Sequence, residues 1–276
     1  MDASGRLPAH LVEQARAFAT GERTPVEAAD AATVVLLRDA ADGPEAYLLR
    51  RHHGMAFAAG MYVFPGGRVD PRDSDHGLGW TGPSVSDWAR RLGCDDPTAQ
   101  ALVCAAARET FEESGILLAG ADPGTVVGDT TGDDMEADRQ ALVDRTLAFG
   151  DFLTGRGLLL RTDLMVAWGH WVTPVFEPRR YDTRFFAAML PVGQLARDVS
   201  GEADKVVWMR PAAACAAADA GEIAMLPPTY VTMSEMAGHR SVERILAAAD
   251  GRTVTPIEPG VEFVGDEAFL TMPDLL

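Results

Sequence analysis

The chain has 276 residues, 47% of them hydrophobic, and a formal charge of −17. That much apolar material supports a sizeable core and excludes wholesale disorder. The acidic balance argues against non-specific binding to nucleic acid or an anionic membrane, while a cation and a few local arginines can still admit an anionic small molecule.

Residues 8–20 have the spacing of a short amphipathic helix, within an N-terminal helical extension over 1–28. Residues 31–38 and 46–50 read as strands, with Asp42-Gly43 marking a hairpin between them. Residues 61–64 are a third strand candidate, ended by a Pro65-Gly66-Gly67 turn. Residues 74–96 read as loop, with a helical patch at 85–92. Their Gly77-Leu78-Gly79-Trp80-Thr81-Gly82 is a formal GxGxxG, but no strand precedes it and Pro83 follows, so it is no dinucleotide fingerprint.

Asp96 as N-cap and Pro97 in the first turn predict a helix that runs to Ser114 and stops at Gly115. Val103, Cys104, Ala107 and Phe111 should bury on one face, with Ala105 and Ala106 leaving space beside the other. A polar link covers 120–134 and a helix is expected over 135–154. Strands are expected at 164–175, 185–190 and 205–209. An Ala-rich helix spans 211–220, a helix follows Pro227-Pro228 up to Ala249, and a β-like tail covers 261–272. This mixture predicts an α+β fold, read as a single domain over 1–276.

Basic charge is almost all arginine, since Lys205 is the only lysine, and asparagine is absent. Cys94, Cys104 and Cys215 form no CxxC pair and read as reduced thiols. No stretch suits a signal peptide or a membrane span, so the sequence reads as soluble and cytoplasmic.

The stretch from Phe64 to Ile116 carries the chemistry. Glu109, Glu112 and Glu113 fall at i, i+3 and i+4, so one helical face holds three carboxylates. Like charges so placed repel, and a hard divalent cation such as Mg²⁺ turns the repulsion into a site. Arg50 and Arg51 before the glycine turn, and Arg179, Arg180 and Arg184 beyond it, are candidate phosphate clamps.

Gly67, the acid Asp73, and then Arg108-Glu109-x-x-Glu112-Glu113-x-Gly115-Ile116 resemble the Nudix box. Asp73 stands where that box has its first Glu, Thr110 replaces an apolar residue, and an insertion of 27 residues (74–100) splits the box. The split box, the Phe64-Pro65-Gly66-Gly67 turn and the glutamate helix together resemble the Nudix branch that contains the peroxisomal coenzyme A diphosphatases.

The resemblance implies an α/β/α sandwich around a mixed β-sheet with the insertion and extra helices, including a C-terminal helix and β-like tail over 221–276. It implies Mg²⁺-dependent hydrolysis, with Mn²⁺ as the alternative metal, of a diphosphate linkage in a nucleoside diphosphate derivative. Coenzyme A or an acyl-CoA is the first substrate expectation. Nucleotide sugars, dinucleotides such as NADH or ADP-ribose, and capped RNA are the alternatives, with a ligand-binding regulator on the same scaffold as the non-enzyme reading. The implied catalytic residues are Arg108, Glu109, Glu112 and Glu202, with Asp204 and then Glu177 as other choices for the distal acid. The implied metal ligands are Glu109, Glu112, Glu113 and the Gly67 carbonyl. Substrate contacts are expected from Arg50, Arg51, Gly66, Arg68 and Arg180. In the related coenzyme A signature Arg50 and Gly60 fit, while Ala56 stands at an Arg position. A homodimer is compatible with this reading.

Overall fold

The computed structural model describes residues 6–55, 58–74, 77–201, 203–250, 252 and 254–272. Of the sequence expectations, Glu202 and Ala56 lie outside the described residues.

In chain order the elements begin α1 (Ala9–Ala19), β1 (Ala29–Ala40), β2 (Gly43–Arg51), β3 (Tyr62–Val63) and β4 (Gly66–Arg68). A 3₁₀ turn (Pro71–Ser74), β5 (Trp80–Thr81), α2 (Val85–Leu92) and α3 (Asp96–Ser114) follow. Next come β6 (Ala119–Gly120), α4 (Asp133–Val143), α5 (Phe149–Gly155), β7 (Leu159–Arg161), β8 (Met165–Val172), β9 (Tyr181–Met189) and β10 (Ala203–Met209). The C-terminal part holds α6 (Pro211–Asp219), α7 (Pro227–Met236), α8 (Val242–Ala248), β11 (Pro256–Ile257), β12 (Gly260–Val264) and β13 (Glu267–Thr271).

The main sheet has the order β10-β2-β1-β9-β8-β11 and is mixed. β1 is its central strand. It pairs parallel with β9 along one edge. Along the other it pairs antiparallel with β2 near its C-terminal end and with β4 over Ala31–Thr33. Successive β1 side chains point to opposite faces. Val34 and Leu36 therefore join the core with Trp88, Leu102, Val103 and Phe111 of α2 and α3. Val35 and Leu37 join Ala214, Met233, Met236, Val242 and Ile245 of α6, α7 and α8. Helices on both faces of a mixed sheet make the expected α/β/α sandwich. A smaller cluster joins α1 to the β12–β13 hairpin through Leu7, Val12, Ala15 and Ala268.

The structure corrects several expectations. Gly66 and Gly67, read as part of a turn with Pro65, instead belong to strand β4, because β1 offers them a hydrogen-bonding edge. The helix expected over 135–154 is two, α4 and α5, separated where Arg145 adopts φ +58°. The helix expected up to Ala249 is α7 and α8, with the Ser241 side chain accepting from the Arg244 N–H to start α8. The helical patch expected at 85–92 within the insertion is helix α2, which opens on a Ser84/Asp87 capping box and has its Trp88 fully buried 5.7 Å from the Phe186 ring. Ala105 and Ala106 leave no open space, since both are fully buried.

Candidate functional site

Helix α3 is set by its ends. The N-cap is Asp95, one residue before the expected Asp96, and its carboxylate accepts from the Thr98 N–H at 2.9 Å. Gly115, at φ +74°, stops the helix. Thr110 fits the apolar face because its hydroxyl donates to the Ala106 carbonyl at 2.7 Å.

Arg108 is the hub of the site. Its Nε and Nη2 donate to the two oxygens of Asp73, both at 2.9 Å. Its Nη1 donates to Glu109 Oε1 at 2.8 Å and to Glu112 Oε1 at 3.2 Å. Nη2 also donates to the Arg68 carbonyl of β4 at 3.0 Å. Asp73 is only 2% exposed and also accepts from the Asp70 N–H at 2.8 Å. One guanidinium thus joins the two halves of the split box across the insertion. Burial works against its charge, but Asp73, Glu109 and Glu112 outweigh it and raise its pKa.

β4 meets the glutamates through its glycines. The Gly66 N–H donates to Glu113 Oε2 at 2.9 Å. A β-carbon on Gly67 would stand 2.4 Å from Glu109 Oε1, and one on Gly66 would stand 2.5 Å from the Ala32 carbonyl oxygen. Only glycine permits these approaches. Burial pushes the Glu109 carboxyl up to about 7, against the pull of Arg108. Burial also raises Glu112, again opposed by Arg108.

This donor chemistry fits a hard divalent cation: partly buried carboxylate oxygens, with more negative charge than Arg108 alone offsets. Among the described residues, however, no three His, Cys, Asp or Glu side chains stand as a ready ligand group. Glu109 and Glu112 face Arg108, and Glu113 faces the Gly66 N–H.

The other expected residues have different surroundings. Arg50 pairs with Asp204 at 2.6 Å across the β2–β10 ladder, so the two engage each other. Arg51 continues β2, its N–H donating to the Met61 carbonyl. Arg180 donates to the carbonyls of Thr173 and Val26 and to Glu258, which ties β9 to flanking loops. Arg184 binds the Leu92 carbonyl at the end of α2, together with His170 and Asp182. The Glu177 N–H donates to the Pro174 carbonyl. The Arg68 side chain is exposed.

Two supports escaped the sequence reading. Arg139 of α4 donates to the Glu112 carbonyl at 2.6 Å, and the Arg197 N–H donates to the Ser114 carbonyl at 2.9 Å. Both arginines pair with Glu136. They satisfy the open carbonyls of the last turn of α3 and place positive charge at its negative end. The Glu136–Arg139 spacing was visible in the sequence, but the carbonyl it serves was not.

The family model described as the NUDT19 Nudix domain matches residues 84–236, more than half of the chain. The chain belongs to this family. The matched span of this Nudix domain begins inside the insertion, so β4 and Asp73 precede it and Arg108 to Ile116 fall within it. Among curated relatives, the acyl-coenzyme A diphosphatase NUDT19 of Xenopus laevis is 25% identical over 225 residues, covering 70% of this chain and 59% of that protein. The putative nudix hydrolase 7 of Caenorhabditis elegans is 28% identical over 190 residues, covering 68% of this chain and 54% of that protein. The chain therefore spans between half and two thirds of these relatives. Among solved structures, a NUDIX hydrolase from Alicyclobacillus acidocaldarius superposes with a TM-score of 0.67 at 26% identity, covering 80% of this chain and 96% of that one. No described helix of this Nudix domain is long and apolar enough to cross a membrane.

Proposed function

We propose that the chain hydrolyses the diphosphate linkage of a nucleoside diphosphate derivative with the help of a divalent cation, Mg²⁺ or Mn²⁺, and that coenzyme A or an acyl-CoA is its substrate. The observation that carries this is the Arg108 hub. It gathers Asp73, Glu109 and Glu112 under the glycine strand in a chain of the NUDT19 Nudix domain family.

Glu109, Glu112 and Glu113, with the Gly67 carbonyl, would hold the cation. When bound, it supplies charge neutralisation for the phosphates and lowers the pKa of a coordinated water. The protein's own part is positional. Arg108 fixes Glu109 and Glu112 relative to each other, and Gly67 brings backbone against Glu109. The Gly66 N–H orients Glu113. Arg139 and Arg197 hold the helix end from which Glu112 and Glu113 project. The coenzyme A preference rests on the acyl-CoA diphosphatase named among the relatives, and the retained glutamates favour an enzyme over a binding-only scaffold.

The test is incubation with coenzyme A, an acyl-CoA, ADP-ribose, NADH and a nucleotide sugar, each with Mg²⁺, with Mn²⁺ and with chelator, followed by product separation. Release of 3′,5′-ADP and a phosphopantetheine, abolished by chelator, is expected. Intact coenzyme A beside rapid cleavage of another diphosphate would redirect the substrate. No cleavage under any metal condition would remove the hydrolase reading.

A further inference from the structure

Helix α4 ends in a Schellman turn. The Arg145 N–H donates to the Leu142 carbonyl and the Thr146 N–H to the Ala141 carbonyl, both at 2.9 Å. Helix α6 ends in the same pattern, with the Gly221 N–H on the Ala218 carbonyl at 3.0 Å and the Glu222 N–H on the Ala217 carbonyl at 2.9 Å. The turn requires a positive φ at its first residue past the cap. In α6 that residue is Gly221 at +72°, and in α4 it is Arg145 at +58°. Helices α2 and α3 also stop on left-handed glycines, Gly93 and Gly115. Glycine takes this conformation freely and an arginine does not. Backbone geometry therefore asks for glycine at position 145, and the arginine there calls for a role of its side chain.

That side chain is exposed, and no described carboxylate forms an ion pair with it. Its loop is braced onto the first half of the box. Arg72 Nε and Nη2 grip the two oxygens of Asp70, each at 2.9 Å. Arg72 Nη1 reaches the Arg145 carbonyl at 3.0 Å and the Leu147 carbonyl at 3.4 Å. Asp70 in turn donates its N–H to Asp73, the partner of Arg108. The brace thus ties position 145 to the residues that organise the glutamates.

We propose that Arg145 is a substrate-binding residue, its guanidinium taking an anionic oxygen of the diphosphate at the rim of the carboxylate site. A guanidinium suits this task because its paired N–H donors match phosphate oxygens. The assignment rests on the hydrolase reading and adds a specificity residue to it.

The test is Arg145→Gly, which removes the side chain while giving the turn its favoured residue, with Arg145→Lys as the charge-retaining control. Two readouts are taken for each: KM and kcat on the best cleaved diphosphate, and calorimetric affinity for inorganic pyrophosphate at a fixed excess of Mn²⁺. In Arg145→Gly the thermal midpoint should hold or rise, and Mn²⁺ affinity should stay unchanged. KM and the pyrophosphate dissociation constant should each rise about tenfold or more, as for loss of a charge-assisted hydrogen bond. Arg145→Lys should recover much of both. Unchanged KM and pyrophosphate affinity in Arg145→Gly would overturn the proposal. So would a loss confined to Mn²⁺ affinity, or a wild-type chain that does not bind pyrophosphate. If the wild-type chain cleaves no diphosphate, the hydrolase reading falls separately, and the pyrophosphate arm still decides Arg145.

Discussion

A β-carbon at Gly67 would overlap Glu109 Oε1, and both partners are fixed, one by the β1 ladder and the other by Arg108. Gly67→Ala should therefore displace the carboxylate rather than be absorbed. We expect a stability loss of about 1–3 kcal/mol, the usual cost of overpacking. Turnover should fall further than that loss implies, since a shift of about 1 Å in a reacting group can cost ~100-fold. Thermal melts and steady-state rates measured together check both parts. Glu112→Gln and Glu113→Gln should behave differently. Each keeps its shape and loses its charge, so turnover should fall ~100-fold or more, with the melting temperature nearly unchanged. Wild-type activity in both variants would count against the proposed site. The glutamates, Arg108 and Gly67 were readable because helical spacing and glycine next to a strand are local signals. Arg139, Arg197 and Arg145 were not, because each acts through a backbone carbonyl or a turn that only folding defines.

At the level of elements, the Asp73–Arg108 pair ties the 3₁₀ turn to α3, with the insertion running between them. Both side chains are almost fully buried, at 2% and 10% exposure. Asp73→Ala removes the acceptor of Arg108 Nε and one acceptor of Nη2, while Glu109 and Glu112 still offset its charge, at an expected cost of about 1–3 kcal/mol in chemical denaturation. A double-mutant cycle with Arg108→Met measures the coupling of the pair.

A second network joins β8, β9 and the end of α2. Burial pushes the Asp182 carboxyl up, but hydrogen bonds from His170 and Arg184 outweigh it and leave it below its ordinary value. Asp30 also faces this group. A carboxyl lowered by folding adds stability above its unfolded pKa, and that stability disappears as pH falls through the folded value. The melting-temperature gap between wild type and Asp182→Asn should therefore be widest near neutral pH and close below about pH 3.8. An equal gap at every pH would contradict this.

Elements that were misread are those whose boundaries depend on partners. β4, β5, β6 and β7 have two or three residues each, too short to show a period, and they exist because a neighbouring strand offers hydrogen bonds. The split between α4 and α5 was hidden because arginine at a left-handed position gives no turn signal.

For the molecule as a whole, the sandwich was legible from the strands at 31–38, 46–50 and 205–209 and from the helix ending at Gly115. Each has an unambiguous pattern and ends on its own turn signal. The pairing of the N-terminal helix with the β12–β13 hairpin was not legible, since each half-buried face is ordinary alone and only proximity joins them. Leu7 is 3% exposed, Val12 9% and Ala15 4%, and the hairpin supplies part of that cover. Deleting residues 260–272 should uncover these side chains. At about 1.5–3 kcal/mol for each large apolar side chain, the melting temperature should drop and dye binding to apolar surface should rise. The Arg108 cluster draws nothing from the hairpin, so its chemistry should persist at low temperature.

β10 closes one side of the main sheet, and its pairing with β2 slips between Ala203 and Lys205. Asp204 and Lys205, both exposed, sit at that irregularity. A bent, charged border of this kind is a poor template for another strand. On this side the sheet therefore offers an incoming strand little to pair with.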